Sequence, residues 1–139
     1  MRVKNVIHIN APIERVWELT MDVETWPDIT PTMTSVELLD TPLHVGSDAR
    51  IKQPGQRERT WTVTELDPQR SFAWSTTLLG LSMTGAHHLV PTAEGTSNTL
   101  TVDIEGRLAP IVGPIMKRPI AKAIAAENEG FREAAERQS

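Results

Sequence analysis

At 139 residues the chain has the length of one domain, expected to run over 1–139, and a domain of this size buries roughly two-thirds of its unfolded surface. Hydrophobic residues at 39% and charged residues at 23% describe a globular chain rather than a disordered one. A net charge of −4 with no basic block argues against nucleic-acid binding, and the lack of cysteine removes disulfides, thiolate metal sites and a cysteine nucleophile.

Residues 3–10 alternate as a strand, with Ile7 and Ile9 on one face and Lys4 and His8 on the other. Asn10-Ala11-Pro12 ends it and opens a helix, with Asn10 as the expected N-cap and Pro12 in the first turn. Ile13, Val16, Trp17 and Thr20 follow at helical spacing, and residues 22–26 read as a second short helix closed by Pro27. Strands are expected over 33–39, 47–53, 59–66, a segment holding Phe72, Trp74 and Thr76, then 81–90 and 98–106. Pro54-Gly55 and Asp67-Pro68-Gln69 are turns. Short links between successive strands imply antiparallel neighbours. From Leu108 to Arg137 an amphipathic helix carries Ile120, Ile124 and Phe131 on one stripe, with Ala123 and Ala134 beside it. Lys122, Glu129, Arg132, Glu133 and Glu136 fall away from that stripe. Pro119 is expected to kink this helix or to start its regular part, leaving 111–116 as a separate turn or short helix.

Parity selects the residues of an inward face. Met83, Gly85, His87 and Leu89 share one side, as do Trp61, Val63 and Glu65, and as do Leu100, Val102 and Ile104. A sheet followed by a long amphipathic helix makes a cup with a lid. Trp26, Trp61 and Trp74 with Met33, Met83 and Met116 suit an adaptable apolar cavity, and Gln53, Thr76, Ile104 and Ile120 complete the expected ligand contacts. His87 is the strongest polar candidate. Its imidazole can donate and accept a hydrogen bond or exchange a proton near neutrality, and the competing reading is a satisfied, half-buried histidine. Glu65 is the second catalytic candidate, because a carboxylate turned inward has a raised pKa; it can equally sit exposed at its strand end. His87 and His88 are neighbours on a strand, so their rings diverge and cannot share a metal. No metal site and no cofactor is expected, since no catalytic or phosphate-binding motif is present.

The order of elements and several local motifs resemble the START-related polyketide cyclase/dehydrase superfamily (SRPBCC). The resemblance rests on Ile9-Asn10-Ala11-Pro12, Val16-Trp17, Asp22, Trp26-Pro27, Gly46 and Gln53-Pro54-Gly55. It continues through Trp61 to Glu65, Asp67-Pro68, Phe72-Ala73-Trp74, Gly85, His87, Pro91, Gly95-Thr96 and Leu108-Ala109-Pro110. It implies an α+β helix-grip fold, in which a seven-stranded curved antiparallel sheet wraps a long C-terminal helix and two short helices follow the first strand. It also implies a small hydrophobic or aromatic ligand, lipid- or polyketide-like, held between sheet and helix. The alternative is a cyclase or dehydratase, with His87 as acid or base and Gln53 or Glu65 orienting the substrate. The chain lacks tyrosine, so the phenol used by some cyclase-like relatives is missing. A protein-binding module is the third reading. No apolar run nears the ~18 residues of a membrane span and no signal core opens the chain, so a cytoplasmic monomer or homodimer is expected.

Overall fold

The chain's first strand pairs with its last at one edge of an open sheet, and the C-terminal helix covers the face between them. The computed structural model describes residues 1–137. β1 (Arg2–Ile9) is followed by α1 (Ile13–Met21), a 3₁₀ turn (Val23–Thr25) and α2 (Trp26–Ile29). The strands β2 (Ser35–Leu38), β3 (Asp48–Lys52), β4 (Arg59–Asp67), β5 (Ser71–Leu78), β6 (Leu81–Thr92) and β7 (Gly95–Glu105) come next, then α3 (Ala109–Arg137). All seven strands form one antiparallel sheet in the order β1-β7-β6-β5-β4-β3-β2. This is the helix-grip arrangement, with α3 lying against β1 and β7 and touching α1 and α2.

Two apolar clusters hold helix to sheet. Phe131, Ala134 and Ala135 of α3 join Ile9, Val16, Trp26, Phe72 and Trp74 in the larger one, while Ile120 and Ile124 join Val3, Leu100 and Ile104 in the smaller. Between them lies a polar clamp. Asn98 Nδ2 donates to Asn128 Oδ1 at 2.8 Å, and Asn128 Nδ2 donates to Asn5 Oδ1 at 2.8 Å and to the Asn98 carbonyl at 3.1 Å. Asn98 and Asn128 are fully buried, a position such side chains hold only when hydrogen-bonded.

Several boundaries differ from expectation. Pro27 does not close a helix; it sits in the first turn of α2, where its missing N–H leaves no bond unmade. The residue at the N-cap of α1 is Pro12, with no side-chain cap, and the Asn10 amide instead donates to Glu136 Oε2 at 2.8 Å. The second strand is shorter than 33–39. α3 runs unbroken through Pro114 and Pro119, so 111–116 forms neither a separate turn nor a separate short helix. The carbonyls these prolines deprive of an amide donor belong to Pro110 and Ile115, both exposed to water. Among the described residues no helix is long and apolar enough to cross a membrane.

Candidate functional site

Between α3 and the concave face of the sheet lies a cavity of about 200 Å³. Ile51, Trp61, Trp74 and Met83 line it from the sheet, and Met116, Ile120, Ala123 and Ile124 line it from α3. The Trp61 and Trp74 rings stand 6.2 Å apart. Gly85 keeps the space beside Trp74 open, since a Cβ there would come within 3.8 Å of the indole. Gln53, Gln56 and Arg59 stand on the side of the β3–β4 loop.

A buried polar pair faces this space from β6 and α3. His87 comes from the middle of β6, opposite Phe72 and Leu100 on the flanking strands. Its ring is packed by Trp26 and Phe131, with centroids at 5.0 and 5.5 Å. Its Nδ1 is buried with no hydrogen-bond partner among the described residues. Its Nε2 lies 3.8 Å from Glu127 Oε1, beyond hydrogen-bond length. Burial, and then the charge of His88, push the His87 pKa down to about 3. Burial pushes Glu127 up to about 7, against a hydrogen bond from Thr32 that favours the carboxylate. The distance alone fits an ion pair, but both partners are driven toward their neutral forms, and desolvation is the first cause for each. The pair is therefore a neutral imidazole facing a carboxyl that exchanges its proton near neutrality.

The expected site residues divide. Met33, Gln53, Trp61, Trp74, Met83, His87, Met116 and Ile120 stand around the cavity. Trp26 does not: its Nε1 donates to the Leu19 carbonyl at 3.0 Å and its ring backs His87, so it plugs the core beneath the cavity. Thr76 is buried with its hydroxyl donating to the Thr60 carbonyl at 2.9 Å, outside the cavity wall. Ile104 packs in the smaller cluster, beyond the wall. Glu65 is exposed. A bulge pairs Val63 with Trp74 and Glu65 with Ala73, so Thr64 is extra and the face of every later residue is reversed. The residues missed are Glu127 and Thr32. Glu127 lies three residues after Ile124 and four before Phe131, so a carboxylate stood on the apolar stripe itself.

An open antiparallel sheet gripping a C-terminal helix over a small apolar cavity is a START-like, helix-grip fold. Residues 1–136 match the model of the family described as polyketide cyclase / dehydrase and lipid transport, and the chain belongs to that family. A candidate polyketide cyclase of Streptomyces halstedii is 34% identical over 62 residues, covering 42% of this chain and 54% of that protein. Another, of Streptomyces cyaneus, is 29% identical over 59 residues, covering 42% of this chain and 39% of that protein. The similarity to these relatives thus spans about half their length or less. A START superfamily protein from Mycobacterium smegmatis superposes with a TM-score of 0.81 over 99% of both chains at 17% identity, a likeness of fold alone.

Proposed function

We propose that the chain acts as one cytoplasmic domain that binds a compact, mostly apolar, ring-bearing molecule. A single carbonyl or hydroxyl of that molecule meets His87 and Glu127. The observation that carries this reading is the buried His87–Glu127 pair, 3.8 Å apart, set in a cavity whose walls include Trp61, Trp74, Met83 and Ile120. A neutral pair of this kind can accept from and donate to one oxygen function without burying a net charge. The cavity of about 200 Å³ is below the ~300–1,000 Å³ usual for drug-sized ligands, and favours one or two rings over a long polyketide.

Binding of 1-naphthol, naphthalene and 1-naphthoate tests this through quenching of tryptophan emission. The phenol should bind most tightly, the hydrocarbon should lose about 1 kcal/mol for the missing hydrogen bond, and the anion should be rejected above pH 7. Gly85→Leu, which fills the space beside Trp74, should abolish quenching in a folded protein. Saturating 1-naphthol without quenching would overturn the reading.

A second reading, cyclase or dehydratase chemistry, is favoured by Glu127, whose pKa of about 7 suits acid–base work at neutral pH. His87 is the weaker partner in that scheme. An imidazole held down to about 3 is a poor base at neutrality, and its 3.8 Å separation from Glu127 leaves the two without a direct proton path. Binding is therefore the reading the geometry supports best.

A further inference from the structure

The amino-terminal part of α3 is apolar on the wrong side as well as the right one. Residues 108–116 contain no charged side chain. Met116 faces the cavity, yet Ile111 and Ile115, one turn apart on the opposite face, are 66% and 74% exposed. A helix segment apolar all round belongs in an apolar environment, not in water. Arg118 and Lys122 continue the same outward stripe at i+7 and i+11 from Ile111, and both are exposed. Between Arg107 and Ala126 there is no acidic residue, although the chain as a whole carries a net charge of −4. The acids of α3 (Glu127, Glu129, Glu133 and Glu136) all follow.

A second element reaches the same place. The turn between β5 and β6 is Leu79-Gly80, and Leu79 is 83% exposed with a φ of 47°. Turns of this conformation favour Asn or Asp, and a leucine there is strained with nothing to pack on. This turn abuts the start of α3, because a Cβ on Gly106 would lie 2.2 Å from the Gly80 carbonyl oxygen. Across the cavity, Arg59 stands at its rim.

We propose that Leu79, Ile111 and Ile115, flanked by Arg118 and Lys122, form a surface that docks this end of the molecule on an anionic lipid bilayer. Protruding aliphatic side chains with lysine and arginine beside them are what an interfacial segment presents to acidic headgroups. A protein partner would call instead for aromatic anchors and a pocket; the patch has no aromatic residue. Docked this way, the wall of the cavity formed by Met116 and Ile120 rests against the membrane.

Flotation of the full chain with vesicles tests this, and needs no cavity ligand, so its failure is separable from failure of the binding proposal. Vesicles rich in phosphatidylserine should carry the protein and phosphatidylcholine vesicles should carry little, with the difference shrinking in high salt. Arg118→Ala with Lys122→Ala should weaken partitioning by about 25-fold, at roughly fivefold for each charge. Ile111→Glu with Ile115→Glu should abolish it. Leu79→Asn relieves the turn, so it should hold or raise the melting temperature while weakening association, a pairing that misfolding cannot produce. No association with phosphatidylserine vesicles, or association unchanged in these folded variants, would overturn the proposal, as would capture of an acidic protein without vesicle binding.

Discussion

The buried His87–Glu127 pair should write an unusual signature into the pH dependence of stability. Glu127 has a folded pKa raised from 4.5 to about 7. The folded state therefore keeps a proton that the unfolded chain releases, and stability falls as pH rises from 4.5 to 7. His87 is lowered from 6.5 to about 3. The unfolded chain takes up a proton that the folded state refuses, and stability falls as pH drops from 6.5 toward 3. Between 4.5 and 6.5 the folded and unfolded states each hold one proton, on Glu127 and on His87 respectively, and the two slopes cancel. The pair's contribution should thus be level in that window. Each variant should uncover the partner's slope. With side-chain exposures of 5% and 12% the shifts act almost unscreened. At 1.36 kcal/mol per pH unit, Glu127→Gln should gain about 2–3 kcal/mol from pH 4.5 to 6.5, and His87→Gln should lose about 2–3 kcal/mol over the same range. Urea unfolding followed by circular dichroism at half-unit pH steps reads both. Parallel profiles for the wild type and the two variants would show that the pair does not hold its proton as argued.

Two further outcomes probe the grip. Phe131 is fully buried and lies edge-on to Trp26 with centroids 5.4 Å apart, so Phe131→Ala should cost about 3–5 kcal/mol in chemical denaturation; an unchanged midpoint would mean that α3 does not close the core. Gly130 lets α3 approach α2 so closely that a Cβ would sit 2.3 Å from the Ile29 carbonyl oxygen. Gly130→Ala should therefore lower the melting temperature despite alanine's higher helix propensity, and a rise would contradict that packing.

Much of the architecture was legible because local rules decided it. The alternation of Leu100 and Ile104 against Asp103 and Glu105 named both the strand and its inward face, and the spacing of Ile120, Ile124 and Phe131 named the seam of α3. What escaped depended on non-local events. The bulge after Val63 is a pairing decision between β4 and β5, so parity carried Glu65 inward when the chain turns it out. Helical spacing finds apolar stripes and sets charges aside, so Glu127 and Asn128, polar residues within the stripe, passed unremarked. Trp26 looked like a ligand contact because indoles suit cavities; only the packing of Phe72, Trp74, His87 and Phe131 around it makes it a plug. Proline rules anticipated a break at Pro119 that exposure to solvent made unnecessary.

The asparagine clamp has a consequence for how this protein can diversify. Turning α3 about its axis, or sliding it by a residue, would leave Asn98, Asn128 and Asn5 unmatched in the interior. The seat of the helix is thus set at Asn128, apart from the side chains that wall the cavity. Met116 and Ala123 can then be exchanged for larger or smaller neighbours while the helix stays in register. Ligand preference and helix docking become separately mutable traits, and a lineage can explore new cargoes without first solving the fold again.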